Sequence, residues 1–115
     1  MEEILEKLCQ TAGVLGCLLT GSDGLVIASE KLEGKDTEFL GAMVADLYRN
    51  IDTNFQKLEA GGTQLVTIER TVDKLVVHKL QTSETFLAVL TQPRINLGLL
   101  RMEVQQAVSK LEKAL

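Results

Sequence analysis

The sequence predicts a single α/β domain of the α+β type over residues 1–115, with the element order α-β-β-α-β-β-β-α around one five-stranded sheet. Three observations lead to this prediction. Two apolar runs flank an Asp-Gly turn near residue 23, a long amphipathic stretch follows, and three short apolar segments precede a last amphipathic stretch. A length of 115 residues and a hydrophobic content of 45% suit one compact domain with a substantial core.

A first helix is expected from Met1 to Ala12, because apolar residues recur there at helical spacing and acidic residues occupy the first turn. Gly13 is the expected C-terminal cap of this helix. The following run from Val14 to Leu19 is apolar on both faces, which is typical of a strand inside a sheet that is covered on both sides.

The segment Gly21-Ser22-Asp23-Gly24 predicts a tight turn between two strands, since Gly accepts positive φ and Asp bonds its own turn backbone. A phosphate-binding loop is the alternative for such a glycine-rich segment. That alternative requires a longer loop, a Lys-Ser/Thr pair and a following helix, whereas a second strand follows here.

A long helix is expected from Glu38 to Leu58, where large apolar residues recur at steps of three and four. Asp36 or Thr37 can cap its start, and Gly61-Gly62 follows its end. Such a helix is long enough to cross the whole sheet of a small domain.

Three more strands are expected, at Thr63–Glu69, Lys74–Leu80 and Thr85–Leu90, before Asn96 caps a last helix. The first and fifth strands are apolar on both faces and belong in the middle of the sheet. With hairpin neighbours kept adjacent, the strand order becomes 2-1-5-4-3. The long helix is expected on one face of this sheet and the two terminal helices on the other.

Charge and composition exclude several classes of function. The net charge of −4 without a basic stripe argues against nucleic-acid binding. No apolar run has the length of a membrane span, and a soluble, cytoplasmic protein is expected. Neither a cofactor nor a metal site is expected: Cys9 and Cys17 are interpreted as buried reduced thiols, and His78, the only histidine, as a residue on a strand face.

Several local motifs, in this order along the chain, resemble those of the Roadblock/LC7 domain family and especially of its short prokaryotic members. They are Gly13-Val14-Leu15-Gly16 with Asp23-Gly24-Leu25-Val26-Ile27-Ala28, Leu75-Val76-Val77-His78-Lys79-Leu80, Phe86-Leu87-Ala88-Val89-Leu90 and Asn96-Leu97-Gly98-Leu99-Leu100-Arg101. The resemblance implies a profilin-like fold with a five-stranded antiparallel sheet. It also implies dimers and association with small Ras-like GTPases, some prokaryotic relatives acting as GTPase activators and other members as adaptor subunits.

The leading hypothesis is therefore a homodimeric regulator of a small Ras-like GTPase, with no catalytic residue of its own. A non-catalytic adaptor or scaffold subunit is the first alternative. A small-molecule sensor is the second alternative, although strands filled with Leu and Val leave little room for a pocket with convergent polar groups.

Two surfaces are predicted for these interactions. The dimer interface is expected along the uncharged segment Thr63–Ile68 of the third strand and at a patch of small residues on the long helix. It comprises Gln64, Leu65, Val66, Thr67, Ile68, Gly41, Ala42, Ala45 and Tyr48. The partner-binding residues are expected on the polar side of the long helix, and they are Glu38, Arg49, Asp52 and Gln56.

Overall fold

The computed structural model describes residues 1–58 and 61–115. Within these residues the elements follow the predicted order. They are α1 (Glu2–Cys9), β1 (Val14–Gly21), β2 (Val26–Glu30), α2 (Thr37–Phe55), β3 (Leu65–Glu69), β4 (Lys74–Lys79), β5 (Thr85–Thr91) and α3 (Leu97–Ala114). No helix of these two ranges combines the length and the apolar character that crossing a bilayer requires.

The five strands pair antiparallel in the order β2-β1-β5-β4-β3, which confirms the predicted order. β1 and β5 lie in the middle and are almost entirely buried, as expected of apolar strands that are covered on both faces. α1 and α3 pack on one face, where Leu5 and Leu111 are part of the core. α2 packs on the other face, over Leu18 and Phe86.

The connection between β1 and β2 is the tight turn that its Asp-Gly sequence predicts. The N–H of Gly24 donates to the carbonyl of Gly21 at 2.9 Å, and Asp23 Oδ1 accepts from the N–H of Leu25 at 3.0 Å. Gly24 has a φ of +85°, and a Cβ at this position would lie 3.2 Å from the Cα of Ala42 in α2. The turn therefore requires glycine both for its backbone conformation and for its close approach to the long helix.

α2 begins at Thr37, where Asp36 is the N-cap and accepts a hydrogen bond from the N–H of Phe39 at 3.0 Å. The helix ends at Phe55, three residues before the predicted end at Leu58. The N–H of Leu58 donates to the carbonyl of Phe55 at 3.0 Å, so the segment after the helix is a tighter turn rather than further α-helix.

The starts of β1, β4 and β5 agree with prediction, and several other element ends differ from it by one to three residues. α1 ends at Cys9 with Gln10 as its C-cap, so Gly13 lies in the connection to β1, with a φ of +94°, instead of capping the helix. β3 begins at Leu65 rather than at Thr63. Asn96 caps α3 as expected, because its side chain accepts from the N–H of Leu99 at 3.1 Å.

Candidate dimer and partner interfaces

β3 is an edge strand of the sheet and carries most of the predicted dimer residues. Leu65, Val66, Thr67 and Ile68 lie within the strand, whereas Gln64 precedes it and is attached to β4 through its carbonyl, which accepts from the N–H of Lys79 at 3.0 Å. Leu65 packs on the α1–α3 side, and Val66 and Ile68 pack on the α2 side. Adjacent residues of β3 therefore face opposite sides of the sheet.

The pairing register shows which backbone groups of β3 are free. Gln64 and Arg70 both bond to β4, through Lys79 and Asp73 respectively, and the register between these two pairs is regular. In an antiparallel ladder, alternate residues bond to the neighbouring strand. Hence Leu65, Thr67 and Glu69 direct their N–H and C=O groups away from β4, toward the open edge.

The opposite edge, β2, differs from β3 in one respect that matters for pairing. The register of β1 and β2 shifts between Leu19 and Thr20, and Ile27 is left without a partner residue in β1. A bulge of this kind twists an edge strand and interrupts its row of free groups. β3 has a regular register without such an irregularity. Of the two edges, β3 is thus the better template for another strand.

The small residues of α2 lie against the sheet. Gly41, Ala45 and Tyr48 are buried, and a Cβ on Gly41 would lie 2.7 Å from Val26 Cγ2. Because these side chains already contact the protein's own sheet, they are not available to a second helix. This placement corrects the expectation that they belong to a helix–helix contact across the dimer. Only Ala42 of that patch is exposed.

The ring of Tyr48 packs on the ring of Phe86 between α2 and the sheet, with the ring centroids 4.6 Å apart. Burial raises the pKa of the Tyr48 phenol to about 12, and the nearby charges of Asp52 and Glu84 act in the same direction. The phenol therefore stays neutral at physiological pH. Tyr48 is therefore a core residue between α2 and the sheet, and it is not a surface contact.

Large apolar residues occupy one flank of α2 instead. Met43, Leu47, Ile51 and Phe55 follow one another at intervals of four, so they form a continuous row; we call this row the apolar flank. Leu47 and Ile51 are half-buried, whereas Met43 and Phe55 are exposed, Phe55 to 56%. Phe55 also lines a cleft together with Leu65 at the start of β3. The apolar flank thus continues toward the β3 edge.

Polar residues occupy the other flank. Three of the predicted partner-binding residues, Glu38, Arg49 and Gln56, are exposed. At about 100° per residue they project from α2 on the side opposite to the apolar flank. We call this row the polar flank. Ala42 also lies on this side, where it meets Gly24 of the β1–β2 turn.

Asp52, the fourth predicted partner-binding residue, has an internal role. Its Oδ1 accepts from the N–H of Thr63 at 2.7 Å, and Gln56 Nε2 donates to Oδ2 at 3.4 Å. The hydrogen bond from Thr63 is the main cause that lowers the pKa of the Asp52 carboxyl. The carboxylate therefore connects α2 to the segment before β3, and both of its oxygens accept hydrogen bonds within the chain.

His78 lies in β4 with its side chain toward α3, and it is buried. Its Nδ1 is 2.8 Å from the carbonyl oxygen of Lys79. The ring lines a groove of about 190 Å³ between β3, β4 and α3, which also includes Arg101. In the part of the chain that the structure describes, no group of three or more His, Cys, Asp or Glu side chains is placed to hold a metal ion.

Sequence reasoning missed the apolar flank as a surface, because the same large residues were the natural candidates for the buried side of an amphipathic helix. The signal that could have separated the two sides is side-chain size. Gly41, Ala45 and Val44 recur at the spacing of one helix face, and small residues are what a helix needs where it crosses a sheet closely.

Comparison with known proteins agrees with this geometry. The family model of the Roadblock/LC7 domain matches residues 1–91. The chain belongs to the Roadblock/LC7 family. An uncharacterized protein of Methanocaldococcus jannaschii is 31% identical to this Roadblock/LC7 chain over 112 residues, which are 97% of this chain and 93% of the relative.

Solved structures share the Roadblock/LC7 fold. A Roadblock/LC7 domain from Streptomyces avermitilis superimposes with a TM-score of 0.92 at 22% identity, covering 99% of this chain and 96% of that one. MglB of Myxococcus xanthus superimposes with a TM-score of 0.91 at 20% identity, covering 97% of this chain and 91% of MglB. Profilin IA of Acanthamoeba castellanii superimposes with a TM-score of 0.65 at 17% identity, covering 97% of this chain and 96% of profilin. This similarity confirms the profilin-like architecture. A further MglB structure is described as a tetrameric arrangement.

Proposed function

We propose that this Roadblock/LC7 protein is a homodimeric regulator of a small Ras-like GTPase, and that it acts by binding without catalysing a reaction of its own. The observation that carries the proposal is the division of α2 into two flanks. The apolar flank adjoins the free β3 edge, and the polar flank lies on the opposite side of the helix. One helix can therefore serve a dimer contact and a partner contact at the same time.

The dimer forms through β3. Its outward N–H and C=O groups, at Leu65, Thr67 and Glu69, pair with the same groups of a second copy about a two-fold axis, so that two sheets become one. The strand offers no bulge or proline to prevent this pairing. Self-association has a precedent in this fold, since MglB is described in a tetrameric arrangement.

The apolar flank provides the second part of the dimer contact. α2 makes its main contacts with β1, β2 and β5, whereas Val66 and Ile68 of β3 are only half-buried on the same face of the sheet. A second α2 brought by the two-fold axis covers these side chains and the apolar flank together. Burial of Met43 and Phe55 in this contact removes apolar surface from water, which favours the dimer.

The polar flank and the β1–β2 turn provide the surface for the GTPase. Glu38, Arg49 and Gln56 are exposed there, and Ala42 on the same side of α2 meets the turn at Gly24. Family membership carries the expectation of a Ras-like partner, and the surface offers charge and hydrogen-bonding groups without a catalytic constellation. Regulation then follows from differential affinity: the dimer binds one arrangement of the GTPase switch loops more tightly and increases its population.

Two measurements test this proposal. Light scattering at concentrations of tens of micromolar is expected to give the mass of a dimer, and the mass of a monomer would contradict the proposed homodimer. Purified small Ras-like GTPases of the source organism, loaded with GDP or with a non-hydrolysable GTP analogue, are then titrated with the protein. At least one GTPase is expected to bind with different affinities in its two nucleotide states. The absence of binding in both states would contradict the proposed regulation of a GTPase.

A further inference from the structure

Two thiols from different elements face each other beneath α1. Cys9, at the end of α1, and Cys17, in the middle of β1, place their sulfur atoms 3.2 Å apart. Both side chains are buried, with exposed fractions of 4% and 1%. They are the only cysteines of the chain. The seven residues between them include the whole connection from α1 to β1, so the sequence spacing does not reveal the pair.

The backbone holds both sulfurs in this arrangement. Cys9 Sγ lies 3.7 Å from the carbonyl oxygen of Glu30, and Cys17 Sγ lies 3.7 Å from the carbonyl oxygen of Leu5. Leu5 itself is fully buried in the core, and Cys17 lies within a regular part of the β1–β5 pairing. The two thiols thus face each other because α1 is docked on β1, and their proximity reports that docking.

The two thiols differ in access and acidity. Cys9 lines a cleft with Gln10, Thr11, Glu30 and Lys31, whereas Cys17 lies behind it. The hydrogen bond from Cys17 lowers the pKa of Cys9 and the charge of Lys31 assists, against the opposing effects of burial and Glu30. The same hydrogen bond, together with burial, raises the pKa of Cys17. Cys9 is therefore the more acidic thiol of the pair and the sulfur that a small molecule in the cleft meets first.

A metal ion fits this pair poorly. Two thiolates on a tetrahedral zinc ion lie roughly 3.8 Å apart, with Zn–S bonds of about 2.3 Å, and two further ligands are required. Within residues 1–58 and 61–115, no third His, Cys, Asp or Glu completes such a group. A disulfide, in contrast, needs no further ligand, and the sulfurs have to approach from 3.2 Å to a bond length of about 2.05 Å.

We propose that Cys9 and Cys17 form a redox-active dithiol that a hydroperoxide oxidises to an intramolecular disulfide. The Cys9 thiolate attacks one oxygen of hydrogen peroxide, the O–O bond breaks, and the released hydroxide takes a proton to become water. Cys9 is then a sulfenic acid. The sulfur of Cys17 attacks the sulfur of Cys9, the S–O bond breaks, and the hydroxyl group leaves as water with the proton of Cys17. Two thiols lose two electrons in total, and one peroxide becomes two waters.

The disulfide ties the end of α1 to the central strand of the sheet. α1 contacts β1, β2 and α3, so its docking is what the bond secures. Oxidation is expected to slow hydrogen exchange of the backbone amides of α1, because the covalent link to β1 then opposes local detachment of the helix. Reduction is expected to restore the faster exchange.

Intact mass measurement tests the proposal on the full chain. The reduced protein is treated with one equivalent of hydrogen peroxide and then unfolded in the presence of iodoacetamide, which alkylates free thiols. Its intact mass is then measured. The expected product is monomeric under non-reducing conditions, about 2 Da lighter, and carries no alkyl groups; dithiothreitol restores two alkylation sites. Retention of two alkylatable thiols, a disulfide between two chains, or direct conversion of Cys9 to sulfinic acid would each overturn the proposal.

Two variants assign the roles of the sulfurs. Cys17→Ser is expected to stop at Cys9 sulfenic or sulfinic acid, with a gain of about 16 or 32 Da. Cys9→Ser is expected to leave Cys17 unmodified at the same dose of peroxide, since the side chain of Cys17 is only 1% exposed. Equal reactivity of the two variants would contradict the assignment of Cys9 as the nucleophile. Circular dichroism of each variant tests whether the fold is kept. The mass measurement on the wild-type chain does not depend on these variants.

Discussion

The carboxylate of Asp52 accepts a hydrogen bond from the backbone N–H of Thr63, and the two atoms are 2.7 Å apart. Asp52 belongs to α2, and Thr63 lies two residues before β3. This bond is a direct connection between the helix that carries both proposed contact surfaces and the strand at the free edge. Its loss is expected to loosen the position of β3 relative to α2, and therefore to affect the dimer as well as the monomer.

Asp52→Ala is expected to lower the urea midpoint of unfolding at pH 7. The pKa of Asp52 is lowered in the folded protein from its ordinary value of 3.8, so the carboxylate contributes stability above that pH. The charge-dependent part of this contribution is lost as the pH falls through the lowered pKa, and the difference between the wild type and Asp52→Ala should then become smaller. Asp52→Asn is the matched control, because its amide oxygen still accepts from Thr63 while its effect has no such pH dependence. A constant difference at all pH values would contradict this account.

Thr67→Pro tests the pairing of β3 with its copy. The N–H of Thr67 points to the free edge, so proline removes no bond to β4 and the monomer ladder stays intact. A symmetric dimer loses two hydrogen bonds at about 1 kcal/mol each, which raises the dimer dissociation constant roughly 30-fold. Analytical ultracentrifugation measures this change.

Thr67→Ala is the control for the proline variant, since it keeps the N–H and is expected to keep the dimer. Val66→Pro makes a useful comparison because Val66 bonds inward to Val77, so proline there damages the sheet itself. A fully dimeric Thr67→Pro protein would exclude β3 pairing.

Phe55→Asp tests the apolar flank. The side chain is 56% exposed in the single chain, so the substitution leaves the monomer core intact. A buried, unpaired carboxylate in the dimer contact is expected to weaken association by more than about tenfold. Thr53→Asp adds the same charge on an exposed position of the same helix, outside the flank, and is expected to leave the dimer unchanged. Equal effects of the two substitutions would show that charge alone matters.

Much of the fold follows from local sequence signals. The Asp23-Gly24 turn, the cap at Asn96 and the burial of β1 and β5 each agree with the structure, and together they lead to the correct strand order. These features are predictable because each depends on a few neighbouring residues and on one simple rule of burial or turn chemistry.

The orientation of α2 was harder to predict, because two faces of that helix are apolar. Leu47 and Ile51 suggest the buried side, but the helix crosses the sheet so closely that a Cβ on Gly41 would lie 2.7 Å from Val26 Cγ2. Such a distance is a property of the packed layers, not of the local sequence. The bond between Asp52 and Thr63 and the pair of Cys9 and Cys17 are tertiary contacts of the same kind.

Arg49→Ala separates two routes to faster GTP hydrolysis. Arg49 is exposed on the polar flank, and among the residues that the structure describes it takes part in no ion pair. If the dimer acts by selecting a switch-loop arrangement, the variant is expected to bind the GTPase about tenfold more weakly but to reach the same maximal rate at saturation. A fall in the maximal rate by about 10³-fold or more would instead identify an arginine supplied in trans. Arg101→Ala, on α3, is the control.

Single-turnover GTP hydrolysis by the partner GTPase, with and without this protein, tests the central claim most directly. The account predicts that saturating wild-type protein changes the hydrolysis rate, and that Thr67→Pro at a concentration where it is monomeric changes it much less. A hydrolysis rate that stays the same with saturating, bound wild-type dimer would contradict regulation and leave an adaptor that only holds the GTPase.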